Sequence, residues 1–183
     1  FDSIDLGGKM NKKITTAALT AAAMLLSCTG QQMPLTAFAD SAIAINEANF
    51  PDANFRAIVT ADTIDTDKDD MLSADEIAAV TALNVSDQGI TDLTGSENFT
   101  ALTELNCRNN ALTTLDVCFF PDLLILNCDN NALTEIDLLV NTALELFSCE
   151  GNAITALDLS KNTALTDIDC SGNQLTSLNL RYN

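Results

Sequence analysis

Between residues 65 and 76, oxygen-bearing groups fall at each position that a hard divalent cation needs. Asp65, Asp67 and Asp69 alternate along the chain, Met71 adds a backbone carbonyl, and Ser73 and Glu76 follow. Calcium takes roughly six to eight oxygens, and this spacing supplies them: three monodentate carboxylates, the Met71 carbonyl, a direct or water-mediated Ser73 contact and a bidentate Glu76. Leu72 sits where such a loop is anchored by an apolar side chain. Asp70 occupies the sharp turn, where φ must be positive; Asp tolerates this better than a branched residue but less well than Gly. Calcium affinity is therefore expected to be weak, on the order of 0.1 to 1 mM. The competing reading is an acidic turn in which Ser73 and Glu76 form only a capping box for a helix from Ala74 to Ala82.

The chain offers little other chemistry. It has no histidine, which excludes Ser-His-Asp and Cys-His nucleophilic sites and imidazole-ligated zinc. Asp and Glu number 26 against 8 Lys and Arg, for a net charge of -18. Nucleic acid is excluded as a partner because phosphate binding needs clustered cations, and anionic membranes are repelled by the same field. Asp167 and Asp169 form a carboxylate pair that invites a glycosidase reading. Trp is absent and the sole Tyr is Tyr182, so no aromatic sugar platform exists, and the chain reads as non-catalytic.

What must position these residues is a repeat. Cys107, Cys128, Cys149 and Cys170 recur every 21 residues. Five before each stands Leu102, Leu123, Leu144 or Leu165; two before, Leu105, Leu126, Phe147 or Ile168. Asn110, Asn131, Asn152 and Asn173 follow by three, and Leu112, Leu133, Ile154 and Leu175 by five. A second apolar pair comes eight and ten after the Cys: Leu115 and Val117, Ile136 and Leu138, Leu157 and Leu159, Leu178 and Leu180. A weaker first block runs through Leu83, Val85, Ile90 and Leu93, with Gln88 in the Asn position. The pattern Leu-x-x-Leu-x-Cys-x-x-Asn-x-Leu resembles the leucine-rich repeat family, in the general layout of internalin-like extracellular bacterial proteins. The acidic loop resembles the EF-hand loop at every ligand position except the Gly. It is also similar to one half of a dockerin calcium loop, but dockerins carry two copies.

The expected fold is an α/β-solenoid, mostly β: a right-handed leucine-rich repeat solenoid with parallel in-register strands and a small N-terminal helix-loop-helix cap. One coil buries too little apolar surface to offset the entropy of ordering its residues, so stability must come from stacking. The four Asn amides are expected to turn inward and pair with backbone groups of neighbouring coils. The four Cys are expected to be free and buried, because in-register parallel strands set Cβ vectors side by side rather than toward each other. In an exported protein, that points to a reducing or anoxic habitat. Phe50-Pro51-Asp52 could open a capping helix with Pro in its first turn and a stripe of Phe55, Ile58 and Val59.

Residues alternating outward along the first strands are candidate partner contacts: Glu104, Asn106 and Arg108; Ile125, Asn127 and Asp129; Leu146, Ser148 and Glu150; Asp167, Asp169 and Ser171. The resemblance places them on the concave face. Ile125 and Leu146 interrupt the polar pattern in adjacent coils and should form an apolar spot with an acidic rim. Two further irregularities stand out. Cys118-Phe119-Phe120 and Leu139-Val140 replace a polar turn, either as a contact surface or beneath the N-terminal segment. Asp116, Asp137 and Asp158 stack like charges, as a solvated face.

Met10 opens a segment with Lys12, Lys13 and an apolar run from Ile14 to Leu26, read as a signal peptide too short to span a bilayer. Ala37-Phe38-Ala39 is the preferred exit; Leu25-Leu26-Ser27-Cys28 is an imperfect lipobox that would lipidate Cys28. The expected organisation is upstream read-through over 1–9, signal peptide over 10–39, helical cap with the calcium loop over 40–82, and repeats over 83–183 that are truncated at the C-terminus. The resemblance implies a secreted or cell-surface module binding a protein or a glycan. The alternatives are a non-catalytic appendage of a larger secreted enzyme and a structural surface-layer component.

Overall fold

The computed structural model describes residues 42–183; the expected signal peptide over 10–39, its Ala37-Phe38-Ala39 exit and the Cys28 lipobox lie outside them. In chain order the elements are β1 (Ile43–Ala44), α1 (Ala53–Val59), β2 (Met71–Leu72), α2 (Ala74–Ala79), β3 (Ala82–Asn84), a 3-10 turn (Ser96–Asn98), β4 (Glu104–Asn106), β5 (Ile125–Asn127), β6 (Leu146–Ser148), β7 (Ala156–Asp158), β8 (Asp167–Asp169) and β9 (Ser177–Asn179).

The repeat forms a parallel β-solenoid of about five coils. Strands β3, β4, β5, β6 and β8 lie side by side in one parallel sheet. The register follows the repeat without slippage, setting Leu83, Leu105, Leu126, Phe147 and Ile168 opposite one another. Leu102, Leu105, Cys107, Leu112 and Val117 of one coil, and their equivalents in the next two, are buried, so the 21-residue period is the period of the core. Leu115 and Ile136 are only partly buried. The returning side forms a ladder only late in the stack, where β7 pairs with β9. In the last coil Ile168, Leu178 and Leu180 remain exposed, because these positions are covered elsewhere by the following coil.

Each coil turns two residues after its Cys position in a left-handed backbone conformation, at Asp87, Asn109, Asn130, Gly151 and Gly172. Asn109 donates to Asp87 and Asn130 to Asn109, a short amide ladder along this corner. It ends at Gly151, where a Cβ would collide with the Asn130 side-chain oxygen.

The cap departs in detail from its expected boundaries. Helix α1 starts at Ala53, after Asp52 rather than with Pro51 in its first turn, because Asp52 accepts hydrogen bonds from the Asn54 and Phe55 amides as the N-cap. Helix α2 ends at Ala79 rather than Ala82, since Val80 leaves the helix extended and buried, and Ala82 already pairs with Glu104. Phe50 and Phe55 pack edge to face and are both buried. A side chain on Gly95, whose φ is 103°, would run into the Phe50 ring and the Asn49 carbonyl, so glycine lets the cap dock on the first coil. The second oxygen of Asp52 fastens that contact by accepting from Thr91 N and Oγ1 at 2.8 and 3.0 Å.

Candidate functional site

The outer face of the five-stranded sheet gathers the predicted contact residues into rows. One row reads Glu104, Ile125, Leu146, Asp167 across β4, β5, β6 and β8; the next reads Asn106, Asn127, Ser148, Asp169. Glu104, Arg108, Glu150, Asp167, Asp169 and Ser171 are exposed, while Ile125 and Leu146 are half-buried neighbours on adjoining strands. The predicted apolar spot with acids at both ends is therefore present as a continuous row.

Not every predicted contact is available to a partner. Asp129 is only 8% exposed and is corrected to a structural residue. Elsewhere in the row, the residue before the Cys position accepts the amide two residues on: Asn84 from Ser86, Asn106 from Arg108, Asn127 from Asp129, Asp169 from Ser171. These are Asx turns closing the strand. In the β6 coil that residue is Ser148. Asp129 reaches from the preceding coil instead, accepting Glu150 N at 2.8 Å and the Ser148 hydroxyl at 2.5 Å. Ser171 hydrogen bonds, side chain first and backbone second, hold the Asp169 carboxyl below its usual range.

Behind this face the inward Asn ladder matches expectation. Asn152 Nδ2 donates to Cys128 O and Cys149 O, both at 3.0 Å, and its Oδ1 accepts from Leu133 N. Asn110, Asn131 and Asn173 repeat this arrangement in their own coils. Cys107, Cys128, Cys149 and Cys170 are free, and the first three are buried. Burial pushes the Cys107 and Cys149 thiols up to about 12 and raises Cys128 well above the ordinary thiol value, so these sulfurs are packing groups rather than nucleophiles.

A second ladder was missed by the sequence reading. Asn141 donates to Val117 O and Phe120 O, Asn162 to Leu138 O and Asn141 O, and Asn183 to Asn162 O. Its signal is the same spacing of 21, hidden because Phe99 and Phe120 hold the equivalent places in earlier coils. Asp116, Asp137 and Asp158 also gain a role beyond that of a solvated face. Each is exposed and accepts the amide two residues on, from Cys118, Leu139 and Ser160.

In the acidic loop, carboxylate oxygens of Asp65, Asp67 and Glu76 lie within 4.8 Å of one another; Asp69 is not part of this cluster. Asp65 is fully buried, accepting from Lys68 N and Asp70 N, which curls the chain around it. Asp70 takes φ of 60°, so the residue in the Gly place does adopt the required turn. Leu72 is buried, and β2 pairs with β1. Asp67 is pushed above its ordinary carboxylate value by desolvation and then by the charges of Asp69, Glu76 and Asp65.

The capping reading holds at the same time. Ser73 and Glu76 complete a capping box for α2, and Glu76 also accepts from Thr66 N and Oγ1. Hydrogen bonds from the Ser73 backbone and hydroxyl, then from Thr66, hold the Glu76 carboxyl down to about 2. Its folded-state value is depressed, so its stabilisation is complete above the unfolded value of 4.5 and is lost as pH falls toward 2. In chelator, thermal melts should lose stability across that window, and Glu76→Gln should flatten the loss.

No family model matches the chain, and no curated protein matches it. Solved structures do. The functional domain of InlJ from Listeria monocytogenes, which includes a cysteine ladder, is 36% identical with a TM-score of 0.72, over 78% of this chain and 31% of that one. Internalin C2 of the same organism gives 20% identity and a TM-score of 0.65 over 76% and 62% of the two chains. Its internalin InlF gives 20% and 0.57 over 74% and 47%. The chain thus spans between about a third and three-fifths of the length of these neighbours, and it shares their leucine-rich repeat fold.

Proposed function

We propose that this chain is an exported, non-catalytic binding module that recognises a protein or glycan through the outer face of its five-stranded sheet, with the acidic loop holding calcium as a stabiliser of the cap. The observation that carries the reading is the row Glu104, Ile125, Leu146, Asp167, where two aliphatic side chains stand side by side on a polar sheet face. Internalin-type neighbours support a binding solenoid in general, and the Lys12 to Leu26 segment supports export. Among the described residues no helix is long and apolar enough to cross a membrane.

Peptide and glycan arrays probed with the chain and with an Ile125→Asn, Leu146→Asn variant test the face. Ligands should lose about tenfold or more in affinity with the variant, the equivalent of about 1.4 kcal/mol. Ligands that bind both forms equally would place recognition elsewhere.

Calcium fits the loop through three convergent carboxylates, a buried Asp65 and a correctly turned Asp70. It would relieve the repulsion that adds to desolvation in raising Asp67, and tie Asp65 to the first turn of α2 through Glu76. At 1 mM calcium, an affinity of about 0.1 to 1 mM should add about 0.4 to 1.4 kcal/mol of unfolding free energy over chelator. Asp65→Asn should abolish the gain, and an unchanged denaturation midpoint in the unaltered chain would remove calcium from the account.

A further inference from the structure

From the outer sheet face we infer the chemistry of the partner, an inference that rests on the proposed binding role: an extended peptide segment with a large apolar side chain flanked, two residues away on each side, by Lys or Arg. The row is symmetrical in kind, with acids at its ends and aliphatics at its centre. Glu104 and Asp167 are exposed, and among the described residues their side-chain carboxylates have no hydrogen-bond or ion-pair partner, so both are open to an incoming cation. The Glu150 carboxylate lies exposed on the same sheet face, whereas Arg108 is the single cation among the predicted contacts.

The spacing sets the peptide pattern. Neighbouring strands lie about 4.8 Å apart, so three intervals place the two acids about 14 Å from each other. An extended chain advances about 3.4 Å per residue and alternates its side chains, so residues i, i+2 and i+4 share one face and cover roughly that span. A peptide running across the strands along the solenoid can therefore set its first cation over Glu104 and its second over Asp167. The residue between them falls above the junction of Ile125 and Leu146. The apolar pair supplies the anchor and the acids set register and speed of encounter. A glycan would leave both aliphatics without an apolar partner, and an acidic segment would be repelled by a chain of net charge -18.

A displayed library of random twelve-residue peptides, selected against the full chain, tests this. Enriched peptides should carry basic-x-apolar-x-basic. A synthetic representative should lose about tenfold in affinity, read by fluorescence anisotropy, against Ile125→Asn with Leu146→Asn, and separately against Glu104→Gln with Asp167→Gln. Its affinity should also fall as salt rises from 50 to 500 mM. Peptides of neutral or acidic composition that depend on Ile125 and Leu146 would overturn the inferred chemistry and leave the binding face standing. Basic peptides that bind all variants alike reflect net charge only and would overturn both. Failure to enrich any peptide, with the variants shown to melt as the original does, would overturn the inference.

Discussion

Phe120→Ala is expected to lower the unfolding free energy by about 3 to 5 kcal/mol, the cost of removing a large aromatic side chain and leaving its cavity. Phe120 is 0% exposed, and its carbonyl accepts at 2.7 Å from Asn141. It stands where the aromatic places of the first coils give way to the second Asn ladder. Leu139, in the equivalent turn one coil on, is 59% exposed, and Leu139→Ala should change stability by no more than about 0.5 kcal/mol. Urea denaturation of both variants measures the contrast, and equal effects would show that Phe120 is not a core residue.

The contrast also marks where the sequence was legible. Sequence alone grouped Phe119, Phe120, Leu139 and Val140 as one apolar irregularity of consecutive turns. The structure separates them, with Phe120 buried, Phe119 and Val140 half-buried and Leu139 outside. Burial there depends on which coil lies above and which below, and a repeat pattern does not carry that information. By contrast, the register of Leu105, Leu126, Phe147 and Ile168 could be read directly, because a spacing of 21 admits one alignment that keeps every inward residue inward.

The outer face was half legible. Alternation along the strands identified Glu104, Ile125, Leu146 and Asp167 correctly as one row. It could not reveal that Asn106, Asn127 and Asp169 each accept an amide of their own turn, or that Asp129 compensates for Ser148 in the coil that lacks an Asx residue there. Asx turns depend on local geometry at the strand end, and Asp129 depends on a neighbour 19 residues away. In the acidic loop the spacing showed the convergence of Asp65, Asp67 and Glu76 but not that Asp69 would stand outside it, and Glu76, read as either ligand or cap, is a cap that also faces Asp65 and Asp67.

Asn152→Ala should cost about 1 to 3 kcal/mol. The substitution removes no large volume. It leaves Leu133 N without its acceptor and takes one of two donors from Cys128 O and Cys149 O, which keep Asn131 and Asn173; the Asn152 amide joins all three at 3.0 Å each across two coils. Because a solenoid is held by contacts between neighbouring coils, the damage should appear at the junction of β5 and β6 rather than evenly along the chain. Amide hydrogen exchange should therefore quicken first at Leu133 and around Cys128 and Cys149, ahead of the cap. Asn173→Ala offers the internal comparison: Asn173 makes the same bonds but is half-buried in the last coil, where water can reach the groups it leaves, so its loss should cost less. If the two variants cost the same, the Asn ladder works by local turn formation within each coil, and the coupling between coils must come from the apolar core and the strand pairing alone.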